Sequence, residues 1–325
     1  MRIRAVSAIL ALTLSMSGGV GNAWAETGPS EAKATFEATL RQAQAGDATR
    51  YVDLAKLYLD GEGVARDVPQ ALAWLRKGVA RGDTDAMVEL GNVYFDGTDG
   101  VPVDRREALK LYAEAARRGD PNGMYNVGVV HEGGGGLRGD RRLALGWYLK
   151  AADAGSARGA FAAGEAYIDG KGTRRDLAKG VLMLRRAIEM GSAEAMNEMG
   201  RLHADGAGVK QDLAEALRLY SAAAANDLPA GMTSLGVAHH NGEGVPVNYT
   251  EAIRWFQMAA DRGHLEAWYD LGFMCERGQG VRADEELALL YRRAAESKDP
   301  ELRRKAERAI NRLEGLEDED GDTIG

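Results

Sequence analysis

Cysteine is almost missing from this chain: Cys275 is the single one among 325 residues. One thiol cannot close an internal disulfide, so the fold is not a disulfide-stapled one even in an oxidising compartment. Long apolar runs are also missing. Beyond residue 25 no segment approaches the roughly 20 apolar residues that a membrane-spanning helix needs. Cations are in deficit, with 41 Lys and Arg against 49 Asp and Glu; the first 25 residues hold two of the cations and no acid, so the rest carries a net −10. Such a surface repels nucleic acid and anionic lipid. There is no Gly-Lys-Ser or Gly-Lys-Thr phosphate loop, no His-Glu-x-x-His and no nucleophile elbow, which leaves no catalytic motif to build on.

What the chain has instead is periodicity. Gly61, Gly97, Gly134, Gly170, Gly206, Gly242 and Gly278 follow one another at 36, 37, 36, 36, 36 and 36 residues. The longer step is an extra loop residue in Asp96-Gly97-Thr98-Asp99-Gly100-Val101, compared with Asp60-Gly61-Glu62-Gly63-Val64. A second ladder runs through Ala71, Ala108, Ala144, Gly180, Ala216, Ala252 and Ala288, and a third through Gly82, Gly119, Gly155, Gly191, Asp227, Gly263 and Asp299. A shared period of this length predicts a solenoid.

Each unit reads as two helices. In Asp85 to Phe95, Ala86, Leu90, Val93 and Tyr94 fall on one face; in Arg106 to Arg117, Ala108, Leu111, Tyr112 and Ala115 do the same. The Gly-x-Gly turn suits a left-handed helix end. Asp67, Asp104, Asp140, Asp176, Asp212, Asn248 and Asp284 suit the next N-cap. Asn248-Tyr249-Thr250 matches a glycosylation sequon at one of these cap positions. Gly91, Gly128, Gly164, Gly200, Gly236 and Gly272 stand inside first helices. Each costs about 1 kcal/mol relative to Ala, so their recurrence predicts a neighbour packed too close for a side chain.

The pattern Leu-Gly-x-x-Tyr-x-x-Gly-x-Gly-Val, then Asp, then Ala-x-x-Trp or Tyr, then Ala-Ala-x-x-Gly resembles the Sel-1-like repeat family and is similar to tetratricopeptide repeats. The resemblance covers roughly Ala34 to Ala309, seven repeats after a half-unit in which Phe36 to Asp47 mirrors the end of a second helix. It implies an all-α fold, a right-handed α/α superhelical solenoid of helix-turn-helix repeats. It also implies a non-enzymatic adaptor that binds a protein or peptide partner on the concave surface formed by first helices. The lone cysteine departs from the cysteine-rich branch of the family, so that branch's suggested β-lactam or cell-wall chemistry stands only as an alternative. Cys275 shares the register of Tyr58, Tyr94 and Tyr167 and reads as a small buried residue.

The ends carry different signals. Arg2 and Arg4, an apolar run from Ala5 to about Met16, a Gly-rich break and Ala23-Trp24-Ala25 make residues 1–25 a signal peptide with an Ala-x-Ala cleavage site. No cysteine follows the run, as a lipoprotein anchor would need. The expected domains are this signal, a flexible linker at 26–33, the solenoid at 34–313 and a disordered acidic tail at 314–325. In that tail Asp318, Asp320 and Asp322 alternate as in calcium loops, but a twelve-position loop does not fit. The expected destination is the periplasm, with secretion and action on a host protein as the alternative; the expected partners exclude nucleic acid and membrane insertion.

No cofactor and no metal are expected. His131, His203 and His239 recur at one register, but equivalent positions on stacked hairpins lie about 10 Å apart, whereas ligands share one ion at about 2.0 to 2.1 Å. The candidate site is a first-helix face. With the ladder glycine, or Ala55 in repeat one, as position zero, positions −2 and +1 lie three apart on one side of the helix. They supply Asp53, Lys56, Glu89, Asn92, Asn126, Glu165, Glu198, Arg201, Asp270 and Phe273. Position −3 adds Tyr125, Asn197 and Tyr269, whose rings suit a peptide anchor. The other reading of these residues is a solvated face at −2 and +1 and a core position at −3.

Overall fold

The computed structural model describes residues 29–133, 139–280 and 287–314. The described residues form sixteen α-helices with one 3-10 turn and no strand. They divide into two compact units, residues 29–192 and 193–314.

The N-terminal unit opens with α1 (Pro29–Gln44), followed by first helices α2 (Tyr51–Asp60), α4 (Thr84–Asp96), α6 (Pro121–Glu132) and α8 (Ala157–Asp169). These alternate with second helices α3 (Val68–Ala80), α5 (Arg105–Arg117), α7 (Arg141–Asp153) and α9 (Leu177–Glu189). The start of α1 corrects the expected linker at 26–33, because the helix already begins at Pro29. Proline tolerates the first helical position, where its missing N–H costs nothing, and Glu31 places an acid in the first turn.

Caps fall where the sequence puts them. Asp67, Asp104, Asp140 and Asp176 each accept a backbone N–H one turn into α3, α5, α7 and α9. The same residues donate their own backbone N–H to the carbonyls of Tyr58, Tyr94, His131 and Tyr167 at 2.7 to 2.9 Å. Each cap therefore locks the hairpin turn from both sides. Gly61 and Gly170 end their helices in the left-handed region. The extra residue of repeat two is absorbed by a tight turn in which Thr98 and Val101 exchange two backbone hydrogen bonds, and the helices on either side keep their length.

The C-terminal unit repeats the plan with α10 (Ala193–Asp205), α11 (Leu213–Ala225), α12 (Pro229–Asn241), α13 (Tyr249–Ala260), α14 (Leu265–Glu276), α15 (Leu287–Ala295) and α16 (Pro300–Glu314). Asp212 and Asn248 cap α11 and α13 through Glu215 N–H and Glu251 N–H. Both units are all-α stacks of helix-turn-helix repeats, the α/α solenoid class. The segment expected to be a signal peptide, residues 1–25, the expected acidic tail beyond Glu314, the Gly134 turn and the Asp284 cap lie outside the described residues.

The first-helix glycines find their explanation across each hairpin. A Cβ on Gly91 or Gly128 would sit 2.5 Å from the ring of Tyr112 or Tyr148, and one on Gly200, Gly236 or Gly272 would meet Tyr220, Phe256 or Tyr291 at 2.6 to 2.8 Å. The neighbour is an aromatic ring of the second helix, packed against bare backbone. At Gly164 a leucine, Leu184, takes that place at 3.0 Å.

Candidate partner-binding face

In the N-terminal unit the predicted positions meet one another. Lys56 Nζ on α2 lies 2.6 Å from Glu89 Oε1 on α4. Asn92 Nδ2, one turn on, donates to Glu89 Oε2 at 3.3 Å, and Asn92 Oδ1 accepts from Asn126 Nδ2 of α6 at 3.4 Å. Tyr112 Oη of the second helix donates to the same oxygen at 2.8 Å. A +1 residue thus joins the −2 residue of the next repeat, and four of the predicted residues form one polar run. Desolvation raises the Tyr112 phenol well above its ordinary value, so this hydroxyl stays a donor at every physiological pH. Asp53 stands aside, exposed and 3.1 Å from Arg50. Tyr125 is half-buried against Tyr148, with ring centroids 5.6 Å apart, and Arg158 of the following repeat covers it at 4.9 Å. Glu165 is half-buried on α8.

In the C-terminal unit the pattern changes. Glu198 receives two hydrogen bonds from Arg201, whose guanidinium also reaches Asp205 at 2.9 Å. These contacts stay within α10. Asn197 Oδ1 accepts from Ser234 Oγ of α12 at 2.9 Å. Tyr269 packs against Tyr291 at 5.5 Å, and Phe273 lies between Arg277 at 4.4 Å and His240 at 6.2 Å. His240 is tied to Asn241 Oδ1 through Nδ1 at 2.8 Å and to Gln279 Oε1 through Nε2 at 2.9 Å. Asp270 is half-buried and makes no hydrogen bond or ion pair with any described residue. Burial pushes its carboxyl up to about 7; Glu266 adds to this, while His240 and Lys305 oppose it.

Several contacts escape sequence reasoning. Arg81, Arg118 and Arg262 share one register at the ends of their second helices. Each reaches back one repeat, to Gly46 O at 3.3 Å, Gly82 O at 3.4 Å and Asp227 Oδ1 at 2.6 Å. Of the three, only Arg118 stands in a pair of adjacent cations, Arg117-Arg118, and nothing local in the sequence marks the staples. A surface cleft of about 600 Å³ near the start of the chain is lined by Gln44, Gly46, Tyr51, Trp74, Lys77 and Arg81. Lys77 lies 3.6 Å over Trp74 there, so its rim is cationic. Cys275 is buried. Among the described residues no three His, Cys, Asp or Glu side chains converge as metal ligands, and no helix is long and apolar enough to cross a membrane.

Comparison with known proteins fits this geometry. The Sel1 repeat model matches seven times in succession, over residues 51–83, 84–120, 121–156, 157–192, 193–228, 229–264 and 265–299. A protective antigen of uropathogenic Escherichia coli that displays an SLR fold is 28% identical with a TM-score of 0.62; the match covers 86% of this chain and 60% of that one. A Sel1 repeat protein from Oxalobacter formigenes is 23% identical, TM-score 0.64, over 81% of this chain and 97% of that one. Yeast Tom70 shares the fold at 16% identity, TM-score 0.53, over 88% of this chain and 58% of that one. No match is found among curated proteins. With seven consecutive repeats matched, the chain belongs to the Sel1 repeat family.

Proposed function

We propose that this protein is an exported, non-enzymatic scaffold that binds a protein or peptide partner on its first-helix face and so regulates or assembles a complex of the cell envelope. Sel1 repeat proteins typically serve as protein interaction scaffolds. The observation that carries the reading here is the polar run from Lys56 through Glu89 and Asn92 to Asn126. It ties neighbouring first helices in fixed register and leaves their −2 and +1 side chains at the surface. A surface already ordered in this way loses little conformational entropy when a partner docks. Export rests on the sequence of residues 1–25, and the periplasm is the proposed location.

The reading is tested by affinity capture from envelope extract with the mature chain. One variant carries Asp53→Lys, Glu165→Lys and Glu198→Lys; a control carries Leu143→Lys and Leu182→Lys, at second-helix positions that are 49% and 60% exposed. Loss of the captured partner in the first variant alone, with circular dichroism unchanged in both, supports the proposal. Equal capture by all three proteins overturns it. Cell fractionation with an antibody to the mature chain tests the location.

A further inference from the structure

We infer that Asp270 receives a basic side chain, from a bound partner, that completes a rung this chain supplies for itself at Lys56 and Glu89. The inference rests on the first-helix reading above and names the chemistry recognised at one point of that face.

The repeat register makes the argument. Position −2 of repeat two is Glu89, and position +1 of the preceding first helix is Lys56; the two form an ion pair at 2.6 Å. Position −2 of repeat seven is Asp270, and position +1 of the preceding first helix is Val237. Valine has no donor. Asp270 therefore keeps the carboxylate of the rung and lacks its cation. Burial strips part of the water from this carboxylate and no described side chain replaces it, so a cation delivered there gains more than it would in bulk water.

Among the described residues the surroundings offer no substitute. Lys305 on α16 holds Glu301 at 2.8 Å. His240 on α12 spends both ring nitrogens on Asn241 and Gln279. Arg277 lies over Phe273 at 4.4 Å. Glu266, on Asp270's own helix, adds a second negative charge. Tyr269 and Phe273 flank the carboxylate in sequence, one on each side of the turn, and aromatic faces favour guanidinium and ammonium groups. Arginine suits the place better than lysine, because its planar fork can engage both carboxylate oxygens and sheds water more readily.

The test uses the full mature chain and two capped alanine-rich heptapeptides that differ only at the centre, arginine in one and the neutral isostere citrulline in the other. Binding is followed by amide and side-chain carboxyl chemical shifts. The expected result is that the arginine peptide binds at least about tenfold more tightly, moves the Asp270 carboxyl signal and loses its advantage in Asp270→Asn, which preserves shape. Val237→Lys, which restores the rung internally, should also remove the advantage. Equal binding of both peptides to first-helix amides overturns the rung and leaves the first-helix reading standing. Arginine-dependent binding that is unaffected by Asp270→Asn, or absence of binding by either peptide at millimolar concentration, also overturns the rung. The first-helix reading is decided separately by capture with the lysine variants, which leave α12 and α14 untouched.

Discussion

Lys56 and Glu89 meet at 2.6 Å across two repeats, with Lys56 50% and Glu89 26% exposed. A pair this open is worth about 0.5–1 kcal/mol, so a double-mutant cycle with Lys56→Ala and Glu89→Ala in urea denaturation should return a coupling of that size. Asn92→Ala should cost more, about 1–3 kcal/mol, because it leaves the hydroxyl of the buried Tyr112 without its acceptor. If the Asn92 variant is no weaker than the Lys56 variant, the polar run does not hold the first helices in register.

The first-helix glycines predict a contrast. Gly128→Ala puts a methyl group 2.5 Å from the ring of Tyr148, which is buried and also packs against Tyr125. It should destabilise by about 2 kcal/mol or more despite the better helix propensity of alanine. At Gly164 the opposing atom is the end of Leu184 at 3.0 Å. Small rotamer adjustments can absorb that contact, and Gly164→Ala should fall within about 1 kcal/mol of the natural protein. Thermal melts of the two variants, run side by side, give the comparison.

Asp227 is the one non-glycine residue with positive φ among the described residues, at 61°, and it stands on the glycine ladder. Its carboxylate also accepts from Arg262 at 2.6 Å. Glycine there relieves backbone strain but gives up the staple, so Asp227→Gly should be nearly neutral. Asp227→Ala keeps the strain and loses the staple, and should cost about 1–2 kcal/mol. A more stable alanine variant, measured by denaturation, would contradict the staple.

Asp270 makes stability depend on pH in a defined direction. Its carboxyl titrates near 7 in the folded chain, raised from an ordinary value of 3.8. The folded state therefore binds more protons than the unfolded state between those values, and stability falls as pH rises through that window. Asp270→Asn mimics the neutral form. Its advantage over the natural protein should be near zero at pH 4 and grow to a few kcal/mol, with a ceiling of about 4, above pH 7. An advantage that does not change between pH 4 and 8 would mean that the carboxyl is not perturbed. Because Glu266, His240 and Lys305 also bear on this group, the comparison is made between the two proteins at each pH.

Much of this fold was legible because its signals are local and repeated. Asp104 followed by an amphipathic stretch announces a capped helix, and Gly91 announces a close neighbour. What that neighbour is, the ring of Tyr112, depends on how two helices cross and has no local trace. The same limit hides the rung between Lys56 and Glu89. Each residue lay on the expected face, but their meeting requires the spacing between repeats. Position −3 was the ambiguous one: Tyr125 and Tyr269 turn out to pack against second-helix rings while staying half-buried, so core and surface readings both describe part of them. Pro29 and Glu31 carried a helix-start signal that the low hydrophobicity of the segment obscured.

The central claim is that a partner docks on first helices. The most direct measurement is photocrosslinking in living cells, with p-benzoylphenylalanine placed one site at a time at Asn126, Glu165 and Asp270, and at the exposed second-helix residues Leu143 and Leu182. The account predicts one discrete crosslinked partner from the first three sites and none from the last two. Crosslinks to that partner only from Leu143 and Leu182 would contradict it.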